Sequence, residues 1–414
     1  MPGALTESVT AYFDIDGSSV VFILDDPVRG LLDGATYVLG GDIATDLPGV
    51  RSVQISRGRE RALDEITVGV AQVVANNYDR LYDPEYAAGT YFGNIRPGKR
   101  VTITTNGFSR FDGLIDDYDY EYPLAGDSTV SFDVADCLAT LGSAEFNEWT
   151  TTASQTTGAR LASILDRPEV AFPATRDLDT GTSTLQADLV TWGSNVLNYA
   201  QLVTRADLGQ LFASKDGVLT FYGRNRSVTG VGAPVFTDVP GGGIGYSGFT
   251  IDYGTELLAN RVSVDATGFA KQTVTDSASF NLFQKWWSLS IANLPLETQA
   301  QALDLANYLL NLYAFPDQRI ASITVNLHGL ESADQATVLA LDIGSVIRVV
   351  HTPNGIAPAL DKYCMVEGID DLIGPKFHSV TLKLSNLADG LGGQPFILDD
   401  AEYGLLDGIG LLAF

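Results

Sequence analysis

With 51 acidic against 25 basic residues, this 414-residue chain carries a formal net charge of -26, which works against gripping a phosphate backbone, because that affinity comes from Lys and Arg displacing counterions. DNA stays open only as a passenger that an acidic wall repels. Single cores stop growing at around 250–300 residues, so two or more domains are required, and a composition with 42 Gly, 17 Tyr and two Met points to strands and turns.

Residues 1–45 form an N-terminal arm that holds one copy of a repeated tag. FILDDPVRGLLDG at 22–34 returns as FILDDAEYGLLDG at 396–408, with ten of thirteen positions identical, 374 residues apart. In a strand Phe22 and Leu24 point to one face and Ile23 to the other, and Asp33 with Gly34 supplies a turn. Such a piece suits addition to a neighbour's exposed sheet edge. The candidate docking residues are therefore Phe22, Ile23, Leu24, Asp25, Gly30, Leu31, Leu32 and Asp33, with their counterparts Phe396, Ile397, Leu398, Asp399, Gly404, Leu405, Leu406 and Asp407. The alternative is that each tag packs on its own chain as an edge strand, or that one covers the other.

Residues 46–149 read as a β-domain. RSVQIS and EITVGV place Val53 and Ile55, then Ile66, Val68 and Val70, at every second position, the period of a strand with one buried face. Between them RGRER sets Arg57, Arg59 and Arg61 in an acidic chain, either to grip an acidic ring next door or to pair with Asp64 and Glu65 on a solvated face. Asn106 and Gly107 tolerate positive φ and predict a two-residue hairpin. YDYEY alternates Tyr118, Tyr120 and Tyr122 with acids, and VSFDVAD alternates Val130, Phe132 and Val134 with polar partners.

Residues 150–318 shift to an α+β pattern. TGARLASILDRP sets Leu161, Ile164 and Leu165 on one helical face before Pro168, and NVLNYAQLVTRADLG predicts a second helix that stops at Gly209, followed by a hairpin at Asp216 and Gly217. After Pro295 a helix of about 20 residues is predicted, with Leu296, Ala300, Leu303, Leu310 and Tyr313 as its apolar stripe and Pro316 as its stop. Residues 319–386 return to strands as a second β-domain, and 387–414 form a tail with the second tag.

Chemistry is sparse. GIGYSG at 243–248 matches a dinucleotide glycine fingerprint but lacks the flanking strand and helix, so it is expected as a plain loop. His328, His351 and His378 have no partner at metal spacing and are expected at the surface or in strands. Acid pairs recur at Asp25 and Asp26, Asp116 and Asp117, Asp370 and Asp371, and Asp399 and Asp400, but neighbours on a strand face opposite ways and make no glycosidase pair. DIDG at 14–17 lacks the remaining ligands of a calcium loop. Trp286 and Trp287 are expected as core aromatics beside the long helix, with exposed anchors the alternative. Cys137 and Cys364 are too few for a disulfide scaffold and are expected to be buried thiols. The N-terminus has no signal-peptide pattern and no apolar run reaches membrane length, so synthesis in a cytoplasm is expected. No catalytic site, cofactor or metal is expected.

The order of YDP at 82–84, RPGKRV at 96–101, FDGLIDD at 111–117 and DVADCLATL at 133–141 resembles the first β-domain of tail-hub proteins from long-tailed, siphovirus-type bacteriophages, often labelled minor tail proteins in phages of actinobacteria. The likeness continues through RLASILDRP, DGVLTFYGR, LLANRVSV and ALDIGSVIRVVHTP and covers about 50–385. The resemblance implies an α+β, β-dominated fold with two tube-like β-barrels and α+β segments between them, closed by three chains into a ring. It implies a non-enzymatic virion protein at the tail tip, assembled in the host cytoplasm, that adapts a six-fold tail tube to three-fold tip components and lines a DNA channel. Its partners would be two further copies, the distal tail ring protein, the tape-measure protein and receptor-binding proteins. A receptor-binding protein reading cell-wall carbohydrate and a tail-associated cell-wall hydrolase are the alternatives.

Overall fold

A computed structural model of the chain describes residues 3–13 and 44–387, apart from 171, 173–174, 225 and 227–231. Both tags, the acid pairs at 25–26 and 399–400, and DIDG lie outside the described residues. The first unit contains β1 (Glu7–Tyr12), β2 (Ala44–Asp46), β3 (Val50–Gly58), β4 (Thr67–Asn76), β5 (Arg100–Thr105), β6 (Phe108–Glu121) and β7 (Thr129–Ala135), all paired antiparallel. The β5–β6 hairpin turns through Asn106 at φ 50° and Gly107 at φ 80°, the left-handed pair that such a turn requires. Val53, Ile55, Ile103, Phe111 and Phe132 fill this unit's core. The expected phase of β4 is wrong. Gly69, Ala71, Val73 and Ala75 face inward and Val70 is 52% exposed. Between Ser56 and Gly58 the register advances three residues on β4, and that extra residue flips the alternation.

The central region follows with α1 (Cys137–Ser143), α2 (Thr157–Leu165), α3 (Val196–Arg205), β8 (Gln210–Ala213), β9 (Leu219–Tyr222) and β10 (Val235–Thr237), with unnumbered strands of two or three residues between 149 and 190. Next come β11 (Gly248–Asp252), β12 (Arg261–Ala266), β13 (Gln272–Thr275), α4 (Ser277–Phe283), β14 (Ser288–Leu294) and α5 (Gln299–Tyr313). Side-chain caps from Asp136, Thr156, Asn195 and Asp276 start α1 to α4. Thr298 and Gln301 close a capping box on α5, which runs for 15 residues rather than the expected twenty. Its buried row is Ala302, Leu305, Ala306, Leu309, Leu310 and Tyr313, whereas Ala300 and Leu303 face solvent and Leu296 is buried ahead of the helix. The expected stripe began too early because Leu296 lies outside the helical period. This row packs with Val262 and Val264 of β12 in a core that also takes Leu161, Ile164 and Val203.

The second β unit contains β15 (Arg319–Asn326), α6 (Ser332–Ala340), β16 (Val346–His351), β17 (Leu360–Gly374) and β18 (Phe377–Asn386), around a core of Ile323, Leu339, Ile347, Val366 and Leu382. Strands hold 41% of the residues and helices 18%, so the fold is α+β and β-dominated. One sheet of 13 strands runs β11-β15-β18-β17-β3-β4-β7-β6-β5-β1-β2, with β16 and β10 branching from β17. Among the described residues this order does not return on itself. The two units are joined edge to edge through β17 and β3.

Candidate assembly site: a sheet face and a charged seam

Cross-strand partners share a face, so the register can be read across both units. Thr324, Thr381, Asp370, Ser56, Val70, Ala135, Leu114 and Arg100 form one row through eight strands. Beside it run Asn326, Ser379, Leu372, Gln54, Gln72, Asp133 and Asp117. Hydroxyls and carboxylates on this face bond to one another. Ser56 Oγ donates to Asp370 at 2.7 Å, Gln72 Nε2 to Asp133 at 2.9 Å, and Ser8 and Thr10 both donate to Asp46 at 2.8 Å. Two cations on it are held by acids: Lys383 by Asp370 at 2.9 Å and Glu60 at 2.7 Å, Arg100 by Asp112 at 2.5 Å. Such a surface repels a phosphate backbone.

The opposite face is apolar except at the seam. There the row Val325, Val380, Asp371, Ile55, Ala71, Val134 and Ile115 contains one carboxylate. Arg110 reaches it because β6 carries one extra residue between the pairs Ile103–Phe111 and Thr104–Ser109, and that bulge residue is Arg110 itself, turned inward. Its Nη2 donates to Asp371 at 2.9 and 3.0 Å, and its Nη1 to the Leu339 carbonyl at 3.1 Å. His378 Nε2 lies 2.9 Å from Asp371, and its Nδ1 lies 3.5 Å from the Glu7 carboxylate. Burial alone would raise the Asp371 pKa, but Arg110 and His378 outweigh it and hold the carboxyl at about 2. Burial would lower the His378 pKa, but the Asp371 and Glu7 carboxylates outweigh it and raise it.

A second bulge, in β17, turns Glu367 inward between the pairs Val366–Leu384 and Gly368–Lys383. It accepts from Arg59 Nε at 2.7 Å, Gln210 Nε2 at 2.8 Å and Ser385 Oγ at 2.5 Å. The N-terminal strand staples the two units. Gly3 N donates to Leu330 O at 3.0 Å, Gln335 Nε2 to Gly3 O at 2.9 Å, and Thr6 N to Asn106 Oδ1 at 2.7 Å.

The structure separates the members of RGRER. Arg57 is buried and pairs with Asp342 at 2.9 Å, Arg59 is held by Glu367, and only Arg61 stays open, 2.6 Å from Glu256 and 3.9 Å from Asp64. Glu65 pairs instead with Arg205. His378 lies in a strand, as expected, and is fully buried in β18, whereas His351, at the end of β16, is half-buried against Tyr246. Asp370 and Asp371 do face opposite ways, but Asp116 and Asp117 are both exposed because Asp116 is a bulge residue. Trp286 is not a core aromatic: it is 38% exposed and stacks on Phe280 at 4.2 Å, and Trp287 is half-buried against Phe283. Cys364 is buried, its thiol pushed up to about 12 by that burial, and Cys137 is half-buried with its thiol also raised by desolvation. The loop 243–248 packs Ile244 and Tyr246 on the second core. Among the described residues no group of three metal-ligating side chains occurs and no helix is long and apolar enough to cross a membrane. Sequence reasoning missed Arg110 and Glu367, because a bulge breaks the two-residue period that reveals strand faces, whereas His378 keeps the inward period of Val380, Leu382 and Leu384.

No protein-family model and no curated protein matches the sequence. Solved structures do. The 43 kDa tail protein of prophage MuSo2 from Shewanella oneidensis is similar at a TM-score of 0.58 and 14% identity, over 92% of this chain and 98% of that one. A tail protein from Neisseria meningitidis MC58 is similar at 0.59 and 10% identity, over 92% and 96%. The chain thus shares, over 92% of its length, the fold of these two tail proteins.

Proposed function

We propose that this chain is a structural component of a phage tail, a homotrimeric hub at the tail tip that adapts a six-fold tail tube to three-fold tip components. The observation that carries the reading is a sheet face that continues across both β units and carries hydroxyls and carboxylates with Val70, Leu114 and Leu372 exposed among them, in a fold shared with two tail proteins. Three copies would turn this face toward a common channel. A wall whose cations are held by acids lets DNA pass as cargo without adhering. The seam keeps the two units at a fixed angle, so each chain presents two sheet segments and three chains present six. The distal tail ring, the tape-measure protein and receptor-binding proteins are the partners of this reading. Arg61 and the tags at 22–34 and 396–408 are its contacts to neighbours, the virion tail is its location, and the actinobacterial siphovirus assignment rests on the sequence resemblance alone. The role is geometric rather than catalytic.

Quantitative mass spectrometry of purified tails tests it: three copies per tail are expected, and one or six would contradict the adaptor geometry. A second reading, recognition of cell-wall carbohydrate, rests on the exposed Trp286 stacked on Phe280. It predicts that the isolated protein sediments with host cell walls and that Trp286→Ala abolishes this; absence of sedimentation by the wild-type chain removes it.

A further inference from the structure

A cleft of about 1140 Å³ opens where the central region meets the sheet end. Two strands with one hydrogen-bonding edge unpaired among the described residues line it, β11 through Thr250 and Asp252 and β14 through residues 289–292. Leu289, Ile291 and Leu312, all partly buried, add an apolar wall. Arginines and carboxylates both line the cleft, and every lining acid except Asp252 is already held by a basic side chain. Arg224 lies over the Tyr308 ring at 5.0 Å, Arg226 over Tyr222 at 3.4 Å, and Arg319 over Tyr313 at 5.6 Å. Arg226 has Asp179 at 3.8 Å, but among the described residues neither Arg224 nor Arg319 has a carboxylate at ion-pair distance. A guanidinium held over a ring still has N–H groups to donate to an incoming carboxylate.

The chain itself supplies an occupant. Leu387 lines the cleft, bonded through its N–H to Tyr363 O at 2.9 Å, and the backbone leaves the described structure there. After eight intervening residues begins FILDDAEYGLLDG, which carries four carboxylates and no basic residue, whereas the first tag includes Arg29 and departs from Phe13, which does not line the cleft. Eight extended residues span about 28 Å, and so short a tether gives an effective concentration on the order of millimolar.

We propose that this cleft is the docking site of the acidic tag at 396–408 of the same chain. The tag adds as a strand to the free edge of β14, with Phe396 and Leu398 on the apolar wall and Asp399 and Asp400 on the stacked arginines. This goes beyond the hub reading and does not rest on it, because it concerns the free chain before any neighbour is met.

The test is hydrogen exchange on the full-length chain. The double variant Leu398→Asp, Leu405→Asp should accelerate exchange of the β14 amides about tenfold or more while amides of β3 stay unchanged. The charge variant Arg224→Glu, Arg319→Glu should do the same, and Arg176→Glu, on an exposed pair elsewhere, should not. Added FILDDAEYGLLDG peptide should restore protection in the first variant. Exchange at β14 equal to wild type in the double variant overturns the proposal. So does protection that rises with protein concentration, because that assigns the site to a neighbouring copy.

Discussion

Asp371 sits in a row of apolar side chains, and its surroundings follow from that placement. A carboxylate without water must have its charge matched, and Arg110 and His378 do so at 2.9 Å each, with all three side chains fully buried. Removing one partner strands the others: Arg110→Met should cost roughly 3–5 kcal/mol in urea unfolding, whereas replacing Arg110, Asp371 and His378 together by apolar residues should cost much less. The pH dependence has a defined sign. His378 is raised above its ordinary 6.5, so its contribution is fully present below 6.5 and is lost as pH rises through the higher folded value. Asp371 is held at about 2 against an ordinary 3.8, so its contribution is present above 3.8 and is lost as pH falls toward 2. Unfolding midpoints of the wild type should therefore fall as pH rises above 6.5, and His378→Asn should flatten that fall; parallel profiles would remove His378 as the cause. Part of this was legible. In IDDLIG the two-residue period already sets Asp371 with Ile369 and Ile373, but its partners lie 261 residues upstream at a bulge and across a hairpin.

Elements with local chemistry were readable, and those whose face depends on partners were not. Hairpins at Asn106 and Gly107 and at Asp216 and Gly217 declare themselves, since Asn106, Gly107 and Gly217 take the positive φ that selects these residue types. Helix α2 ends as Pro168 requires and buries Leu161, Ile164 and Leu165. In α5 the cap rather than the apolar count fixes the phase: Thr298 starts the helix, and the inward row follows at 302, 305, 306, 309, 310 and 313. Thr298→Ala should cost about 1 kcal/mol through the lost cap. Leu309→Ala should cost about 2–5 kcal/mol through the cavity between α5 and β12, and chemical unfolding should rank the two in that order. In β4 alternation pointed to Val70, but the register shift opposite Gly58 moved the core to its neighbours. Such a shift leaves no trace in a single strand's sequence.

At the scale of the molecule, one pairing decides the architecture. β17 meets β3 over six residues, from Gly368 with Gly58 to Ile373 with Val53, and merges two units that the sequence separates by almost the whole central region. Composition and turn chemistry revealed two β-rich stretches with an α+β region between them, but an edge-to-edge joint carries no local signal. Gly58 is the tightest point of the joint: at φ +92° an added Cβ would lie 2.3 Å from the Glu367 carbonyl oxygen. Gly58→Val should therefore loosen the seam and expose the β3 and β17 amides to exchange without unfolding α5. The central claim, that three chains close around the polar face, is tested most directly by light scattering behind size-exclusion chromatography of the full-length protein. The account predicts a single species of about 133 kDa, three times the 44.2 kDa chain. A mass of 44.2 kDa that persists at every concentration would contradict it.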